Sequence, residues 1–477
     1  MSITSSPRAV ETRQRWREVL SRHTGSLEGP ESKACWSHRY DFASRDELIA
    51  IQNEKLGALT PFLYENSDFY RRRFTRLGLL PSDIRTLDDL VKWPVVTKEE
   101  MSQDAQEHPP MGSYLTIGDA EWRDRGWMQF STSGSTGQPR AFRYTHFDRQ
   151  LWGWANTRAL YAMGIRRGEV ILPIGGFGPH VWLWGVMEAL RILNVAVIPG
   201  GGLDGPARAR LIDRFRPTVV ACTVSYALYL GRVLQDLGID PAATSVHTLF
   251  IGGEPGISIP ATRQRLQKLW NARTVEFYGC TEASPHAGGF SCTHSDTDPE
   301  PFTHLLEDVQ IWESVDATSM TPVAPGTQGL TVCTNLNSES SPALRFLVGD
   351  YTTYNRETCR CGRTHLRAMG SFAGRADDVI NLRGIKFFPS QIEEVVRATP
   401  AIGDEYEIVL TTNDDGLDVM TLRVEHSDFA TPSAVAEQLA KDVRSRCEIR
   451  AGVEVLQPGT LAKTEAKAKR VKDRRSR

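Results

Sequence analysis

The stretch Ser131-Thr132-Ser133-Gly134-Ser135-Thr136-Gly137-Gln138-Pro139-Arg140 crowds hydroxyl side chains and two glycines into one short segment. Small residues let a backbone come close to an anion, where N–H and hydroxyl groups donate to phosphate oxygens. It is not a Walker loop, because it has neither the Gly-Lys-Ser/Thr ending nor any lysine. A flexible Ser/Gly linker has a similar composition, but this stretch lies between two regions that read as structured. A second candidate is Cys359-Arg-Cys361, in a polar turn followed by Gly362. Free cysteines are usually buried, so two in a polar loop point to thiolate ligation of Zn²⁺. A third is the tail Thr460–Arg477, with eight Lys or Arg and two acids. Such a tail reads as a solvated segment or a nucleic-acid patch. Without aromatics, on a chain of net charge −2, it is a poor nucleic-acid reader.

The elements that must position these groups follow from pattern and length. A chain of 477 residues exceeds what one core usually organises, so two or more domains are expected. Hydrophobic residues at 40% and charged residues at 24% fit an ordinary globular protein. The near-zero net charge gives no overall field for nucleic acid or membrane. No apolar run reaches the roughly 20 residues of a membrane helix. The N-terminal Met-Ser-Ile-Thr-Ser-Ser has no apolar core, so a cytoplasmic enzyme is expected. The eight cysteines are spread too widely for a disulfide scaffold.

Apolar spacing predicts a helix from Asp46 to about Arg73 and another over 146–164. The runs Val170-Ile-Leu, Val195-Ala-Val-Ile and Val219-Val-Ala-Cys alternate with helical stretches at Trp182–Leu193, Ala207–Phe215 and Tyr226–Leu237. That alternation predicts an α/β fold with a parallel sheet. Residues 302–355 read as shorter, turn-rich strands of an antiparallel β subdomain. Gly374-Arg-Ala-Asp-Asp-Val-Ile marks a boundary, placing a large domain over 1–375 and a small α+β domain over 376–477. In the small domain a helix is expected from Ser390, strands at Tyr406–Thr411 and Asp418–Val424, a helix at Ser433–Cys447 and a final strand at Gly452–Leu456.

Several segments together resemble the adenylate-forming superfamily of acyl- and aryl-CoA ligases, adenylation domains and luciferases. The 131–140 stretch resembles its signature loop, and Tyr278-Gly279-Cys-Thr281-Glu282 its Tyr-Gly-x-Thr-Glu motif. Gly349-Asp350 resembles its ribose-binding aspartate, 374–380 its hinge, and Gly459–Lys467 its lysine loop. Tyr64-Glu-Asn-Ser-Asp-Phe-Tyr, Cys359-Arg-Cys-Gly-Arg and Arg383-Gly-Ile-Lys-Phe-Phe-Pro-Ser-Gln-Ile-Glu are similar to the phenylacetate-CoA ligase-like branch. The resemblance runs over roughly residues 45–472.

The resemblance implies ATP-dependent activation of a carboxylic acid as acyl-AMP, with transfer to coenzyme A. A carboxylate attacking the α-phosphate of ATP brings two anions together, so the site must neutralise charge and hold an in-line geometry. It implies that Ser131, Thr132, Ser133, Gly134, Ser135, Thr136 and Gly137 cradle the β- and γ-phosphates. Thr281 would contact the α-phosphate, and Glu282 would help hold Mg²⁺, which takes hard oxygen ligands. Tyr278 and Gly279 would lie at the adenine, Gly253 and Glu254 on its other side, and Asp350 on the ribose hydroxyls. Arg375 would lie near the nucleotide and Asp377 at the hinge. Lys467 would be the catalytic amine, with Lys463 a nearby competitor and Ala466 standing where relatives commonly carry Gly.

For the Cys359/Cys361 pair the resemblance supplies Cys292 and His304, which complete a closed structural zinc site. His286, His294 and His365 compete for the histidine place. An open catalytic zinc site has no matching His-Glu-x-x-His pattern. Phe177, His180 and Trp182 fall where relatives line the acyl pocket and would suit a flat aromatic acid, although Trp182 also reads as the start of a core helix. The same motifs serve enzymes that pass the activated group to a carrier protein or an amine, or that activate another oxyanion such as nitrite. No membrane or nucleic-acid partner is expected.

Overall fold

The computed structural model describes residues 6–475, apart from 133–138, 176, 179, 180, 255, 296, 384, 414–416, 427–431 and 464–468. Strand β1 (Gly126–Ser131) pairs antiparallel with β2 (Ala141–Thr145), so the 132–140 loop is the connection of a two-stranded ribbon. The main sheet has eleven strands. Its parallel half holds β3 (Val170–Pro173), β4 (Ala196–Val197), β5 (Val219–Cys222), β6 (Thr248–Gly252) and β7 (Arg273–Cys280). Its antiparallel half holds β8 (Ser284–Phe290), β9 (Phe302–Leu305), β10 (Gln310–Val315), β11 (Gln328–Asn335), β12 (Ala343–Asn355) and β13 (Arg367–Arg375). Across the sheet the order is β10-β11-β12-β13-β9-β8-β7-β6-β5-β3-β4.

The parallel strands β3, β5 and β6 are almost wholly apolar because helices cover both faces. Ile171, Val219, Ala221, Phe250 and Val275 face the helices 146–162 and 182–192. Leu172, Val220, Cys222, Leu249 and Ile251 face the helices 205–215, 224–236 and 260–270. The alternation along each strand sorts successive side chains to opposite layers.

Near the N-terminus the single helix expected from Asp46 to Arg73 is two, Arg45–Asn66 and Asp68–Leu77. Ser67 adopts an extended backbone and caps the second helix, accepting from the Tyr70 N–H. Apolar periodicity continues across the break, so spacing alone reads one helix; the capping serine is the signal that ends it.

Residues 380–449 supply a separate apolar core. Strands β14 (Ile380–Leu382) and β15 (Ile385–Phe387) form a hairpin. Strands β16 (Ile402–Thr412), β17 (Asp418–His426), β18 (Ala451–Leu456) and β19 (Val471–Asp473) form a sheet ordered β18-β17-β16-β19. Helices 389–398 and 432–447 pack on it. The last strand is therefore β19 rather than the one at 451–456, and it lies in the tail whose charge reads as solvated. Its main chain pairs in parallel with β16. Its charges find local partners: Arg470 pairs with Glu405, and Arg475 with Asp473 and Asp418.

A buried charge cluster fastens the N-terminal helices to the antiparallel half. Arg158 is fully buried and donates to Asp41 at 2.9 Å and Asp308 at 2.7 Å. Lys55, also fully buried, donates to the Asp308 carbonyl at 2.6 Å and to Asn337 at 2.9 Å. Burial lowers the Lys55 ammonium to about 8, against the attraction of Asp308. Removing one member of a buried ion pair strands the other charge. Asp308→Ala should therefore destabilise the protein by roughly 3–5 kcal/mol, read as a fall in the urea midpoint; an unchanged midpoint would show that Asp41 alone satisfies Arg158.

Candidate functional site

The sheet changes character at β7, which runs parallel to β6 on one edge and antiparallel to β8 on the other. Its C-terminal end carries Tyr278 and Gly279, and the turn into β8 carries Thr281 and Glu282. Glycine is needed at 279, since a Cβ there would lie 2.7 Å from the Ser284 carbonyl oxygen. The Tyr278 ring stacks on Phe372 with centroids 3.5 Å apart and planes 12° from parallel. Its hydroxyl donates to the Asp350 carboxylate. Arg375 donates to the other Asp350 oxygen at 2.9 Å and reaches Asp377 at 2.8 and 3.0 Å. Lys98 lies 3.8 Å from Asp377. Burial pushes the Asp350 carboxyl up, while Arg375 and the Tyr278 hydroxyl pull it down. Burial opposes the charge on Arg375, but Asp377 and Asp350 hold it above its ordinary value.

On the other side of β7, Gly252, Gly253 and Glu254 follow the end of β6. Gly253 takes a left-handed backbone (φ 86°) that favours glycine. Trp182 packs against Gly252, where an added Cβ would meet its ring at 3.1 Å. Glu254 accepts from the Ser225 N–H at 2.6 Å, capping the helix 224–236. Ser131 closes β1 opposite Ala141, and Thr132 and Arg140 exchange hydrogen bonds at the base of the loop. Arg140 donates to Glu282 at 2.5 Å, and the Tyr144 hydroxyl donates to the Thr281 carbonyl at 3.2 Å. Phe177 meets Trp184 edge to face at 4.9 Å. Ser133, Gly134, Ser135, Thr136, Gly137, His180 and Lys467 lie outside the described residues. Lys463 is exposed.

Thus the structure gathers Ser131, Thr132, Gly253, Glu254, Tyr278, Gly279, Thr281, Glu282, Asp350 and Arg375 around the C-terminal ends of β6 and β7, where open α/β sheets bind ligands. Arg140, Phe372 and Lys98 were not singled out as site residues from sequence. Arg140 was visible as the last residue of the hydroxyl-rich stretch. Phe372 and Lys98 carry no local signal, because each matters through a partner far along the chain.

A second centre lies where β9 meets the 356–366 turn. One ligand atom each from Cys292, His304, Cys359 and Cys361 lies within 4.8 Å of the others. Cys292 Sγ is 3.9 Å from Cys359 Sγ, and Cys361 Sγ is 3.4 Å from His304 Nε2. A disulfide would need about 2.05 Å. Tetrahedral bonds of about 2.3 Å to sulfur and 2.0–2.1 Å to nitrogen give edges of about 3.8 Å between sulfurs and about 3.5 Å from sulfur to nitrogen. The two spacings of 3.9 and 3.4 Å are close to those edges. The competing histidines are engaged elsewhere: His365 with the Tyr40 carbonyl at 2.8 Å, His286 beside Gln310 at 3.4 Å, and His294 with Thr293 at 3.3 Å.

Residues 90–333 match the AMP-binding enzyme family, and residues 384–475 match the AMP-binding enzyme C-terminal domain. The chain is 30% identical over 450 residues to a phenylacetate-coenzyme A ligase of Thermus thermophilus, covering 90% of this chain and 97% of that one. It is 29% identical over 441 residues to the phenylacetate-coenzyme A ligase of Escherichia coli, covering 91% and 96%. The fold superposes on 2-hydroxyisobutyryl-CoA ligase with 2-HIB-AMP in its postadenylation state, with TM-score 0.88, 26% identity and 96% of each chain covered. Against the same ligase with 2-HIB-AMP and CoA in the thioesterification state, the TM-score is 0.70 at 28% identity, with 94% of each chain covered.

Glu276 sits two residues before Tyr278 on the same face of β7 and is 8% exposed. Burial raises its carboxyl to about 7, against the Ser371 hydroxyl. Between the ordinary value of 4.5 and 7 the folded state holds a proton that the unfolded chain has lost, so Glu276 makes stability fall as pH rises through that window. Glu276→Gln should remove this slope and be the more stable form above pH 7, by up to roughly 3 kcal/mol. Parallel wild-type and variant melting curves from pH 5 to 8 would contradict it.

Proposed function

The chain belongs to the AMP-binding enzyme family, in its phenylacetate-coenzyme A ligase-like branch, and we propose that it activates an aromatic carboxylic acid as acyl-AMP, releases pyrophosphate and passes the acyl group to coenzyme A. The observation that carries this reading is the convergence at the end of β7. Tyr278, Asp350 and Arg375 form one connected group there, with Glu282 and the base of the 131–140 loop beside it. Asp350 offers two carboxylate oxygens to two ribose hydroxyls once Tyr278 and Arg375 yield them. Tyr278, backed by Phe372, presents a fixed ring face to adenine. Gly253 and Glu254 flank the base from the other side, Glu254 through its backbone, since its carboxylate caps a helix. The 131–137 loop receives the β- and γ-phosphates, and Thr281 the α-phosphate. Glu282 is the hard oxygen donor for Mg²⁺, which neutralises phosphate charge when bound. Phe177, with His180, forms the aromatic side of the acyl pocket.

Residues 1–375 and 376–477 act as two units joined at Asp377. The separate core of 380–449 supports this division. In the present arrangement Glu394 accepts from the Ala261 N–H at the start of helix 260–270, at 3.0 Å. Asp404 pairs with Arg232 at 2.9 Å and Arg265 at 2.8 Å. The higher TM-score with the postadenylation state than with the thioesterification state of the relative supports a lid with two positions. Lys467 supplies the positive charge for adenylation, and the 383–388 loop faces the thiol after rotation.

The test is AMP and pyrophosphate release across a panel of acids, with and without coenzyme A, with product mass identifying the acceptor. Aryl-CoA is expected. Hydroxylamine-trapped acyl-AMP with no thioester would instead mean transfer to a carrier protein or an amine, and AMP formation with nitrite alone would name that oxyanion. Lys467→Ala should cut adenylation by about 10²-fold or more while ATP binding survives; full adenylation by that variant would move the role to Lys463.

We further propose that Cys292, His304, Cys359 and Cys361 hold a structural Zn²⁺. All four ligand places are filled by protein, so no position is left for water or substrate. The ion would pin the 292–304 segment to the 359–361 turn. One equivalent of zinc is expected in protein purified without chelator, and its removal should lower Tm by more than about 5 °C. Protein free of zinc by elemental analysis would refute the assignment.

A further inference from the structure

Arg140 is a charged residue at the site that the reading above leaves without a chemical task. Its side chain is 11% exposed and that of Glu282 9%, so their ion pair is almost wholly desolvated. Nη1 donates to the Lys98 carbonyl at 3.1 Å and to Ser102 Oγ at 3.0 Å, which fixes the guanidinium plane against the helix Lys98–Glu107. Nη2 spends one N–H on Glu282 Oε1. Nε is buried with no partner among the described residues. A guanidinium has five N–H donors, and three are engaged here. The remaining two belong to Nε and Nη2, the pair of nitrogens whose shared edge can grip two phosphate oxygens at once. The backbone of the same residue closes the 132–140 loop through Thr132. One residue therefore joins the loop, the acid and the start of the helix that leads through Lys98 to Asp377.

A buried carboxylate paired to arginine is a poor metal ligand until the arginine finds another anion. We propose that Arg140 is an exchangeable counter-ion: it neutralises Glu282 while the site lacks nucleotide, and transfers to β- and γ-phosphate oxygens when Mg·ATP arrives, freeing Glu282 for Mg²⁺. No covalent bond changes in this step; one ion pair is traded for an arginine–phosphate fork and a carboxylate–magnesium contact. The inference rests on the proposed adenylation. It adds that the protein resists binding magnesium without polyphosphate, because the acid is already occupied.

The test uses full-length wild type, R140Q and R140K, with calorimetric titration of inorganic pyrophosphate, AMP and MgCl₂, each alone, and pyrophosphate again with MgCl₂ present. R140Q should bind pyrophosphate about tenfold or more weakly yet bind AMP as wild type does. Nucleotide-free R140Q should also bind Mg²⁺ more tightly than wild type, an effect that simple structural damage would not produce. R140K keeps the charge and loses the fork, so it should fall between the two for pyrophosphate. Equal pyrophosphate affinity in all three, or unchanged Mg²⁺ affinity in R140Q, overturns the proposal. Should R140Q not fold, R140K decides alone: wild-type pyrophosphate binding by R140K sinks the proposal, and selective weakening with AMP binding intact supports it. These outcomes are separate from the adenylation reading, which fails only if wild type forms no acyl-AMP with any acid.

Discussion

The architecture turns on the two unlike edges of β7. A parallel neighbour requires a crossover helix, whereas an antiparallel neighbour can be reached by a tight turn. Because β6 lies on one side and β8 on the other, the chain leaves β7 by a short turn instead of another helix. That turn is where Thr281 and Glu282 sit. The reversal also brings β12 and β13, late in the chain, into the same sheet, so that Asp350, 72 residues after Tyr278, and Phe372 further on arrive beside that tyrosine. Had the sheet stayed parallel, the end of β7 would face a helix and Asp350 would have no route to it.

Holding such distant segments in register falls to buried polar groups as much as to the apolar layers. The Arg158, Asp41, Asp308 and Lys55 cluster ties helices from the first sixty residues to the loop before β10. Asp148 and Glu339 do the same for the β1–β2 ribbon: Asp148 accepts from Thr145, Ser340 and the Glu339 N–H, while Glu339 takes Arg17 and Arg125. Burial raises the Asp148 carboxyl to about 6, whereas Arg125 and Arg17 hold the Glu339 carboxyl low against the same burial. Wholly apolar contacts tolerate sliding; paired charges with fixed hydrogen-bond directions specify one arrangement.

Much of this was legible in the sequence because it depends on local pattern. The apolar runs at 170, 195 and 219 announced parallel strands, and the helices between and after them fell within a few residues of expectation. The motif residues Tyr278, Asp350 and Arg375 were named from sequence, and the fold brings them into contact. What stayed hidden depends on pairing across distance. Ser67 ends a helix although the apolar spacing continues through it. Strand β19 is short and surrounded by charge, and only the exposed edge of β16 makes it a strand. Cysteines 292 and 359 are far apart in sequence, so no spacing rule joins them and only the family resemblance paired them; their sulfurs meet at 3.9 Å because the turn after β8 and the 356–366 turn are neighbours in space.

Strand β19 has a mechanical consequence. The segment that ends in the proposed lysine is anchored before it, where the Leu461 N–H donates to Glu425 on β17 at 2.6 Å. It is anchored again just after it, where β19 joins β16. Both anchors belong to the same small sheet, as the base of a tooth belongs to its gear. Under the proposed roles of Lys467 and Asp377, the amine is delivered only as the whole small sheet turns, so the timing of the chemistry passes to the axle at Asp377.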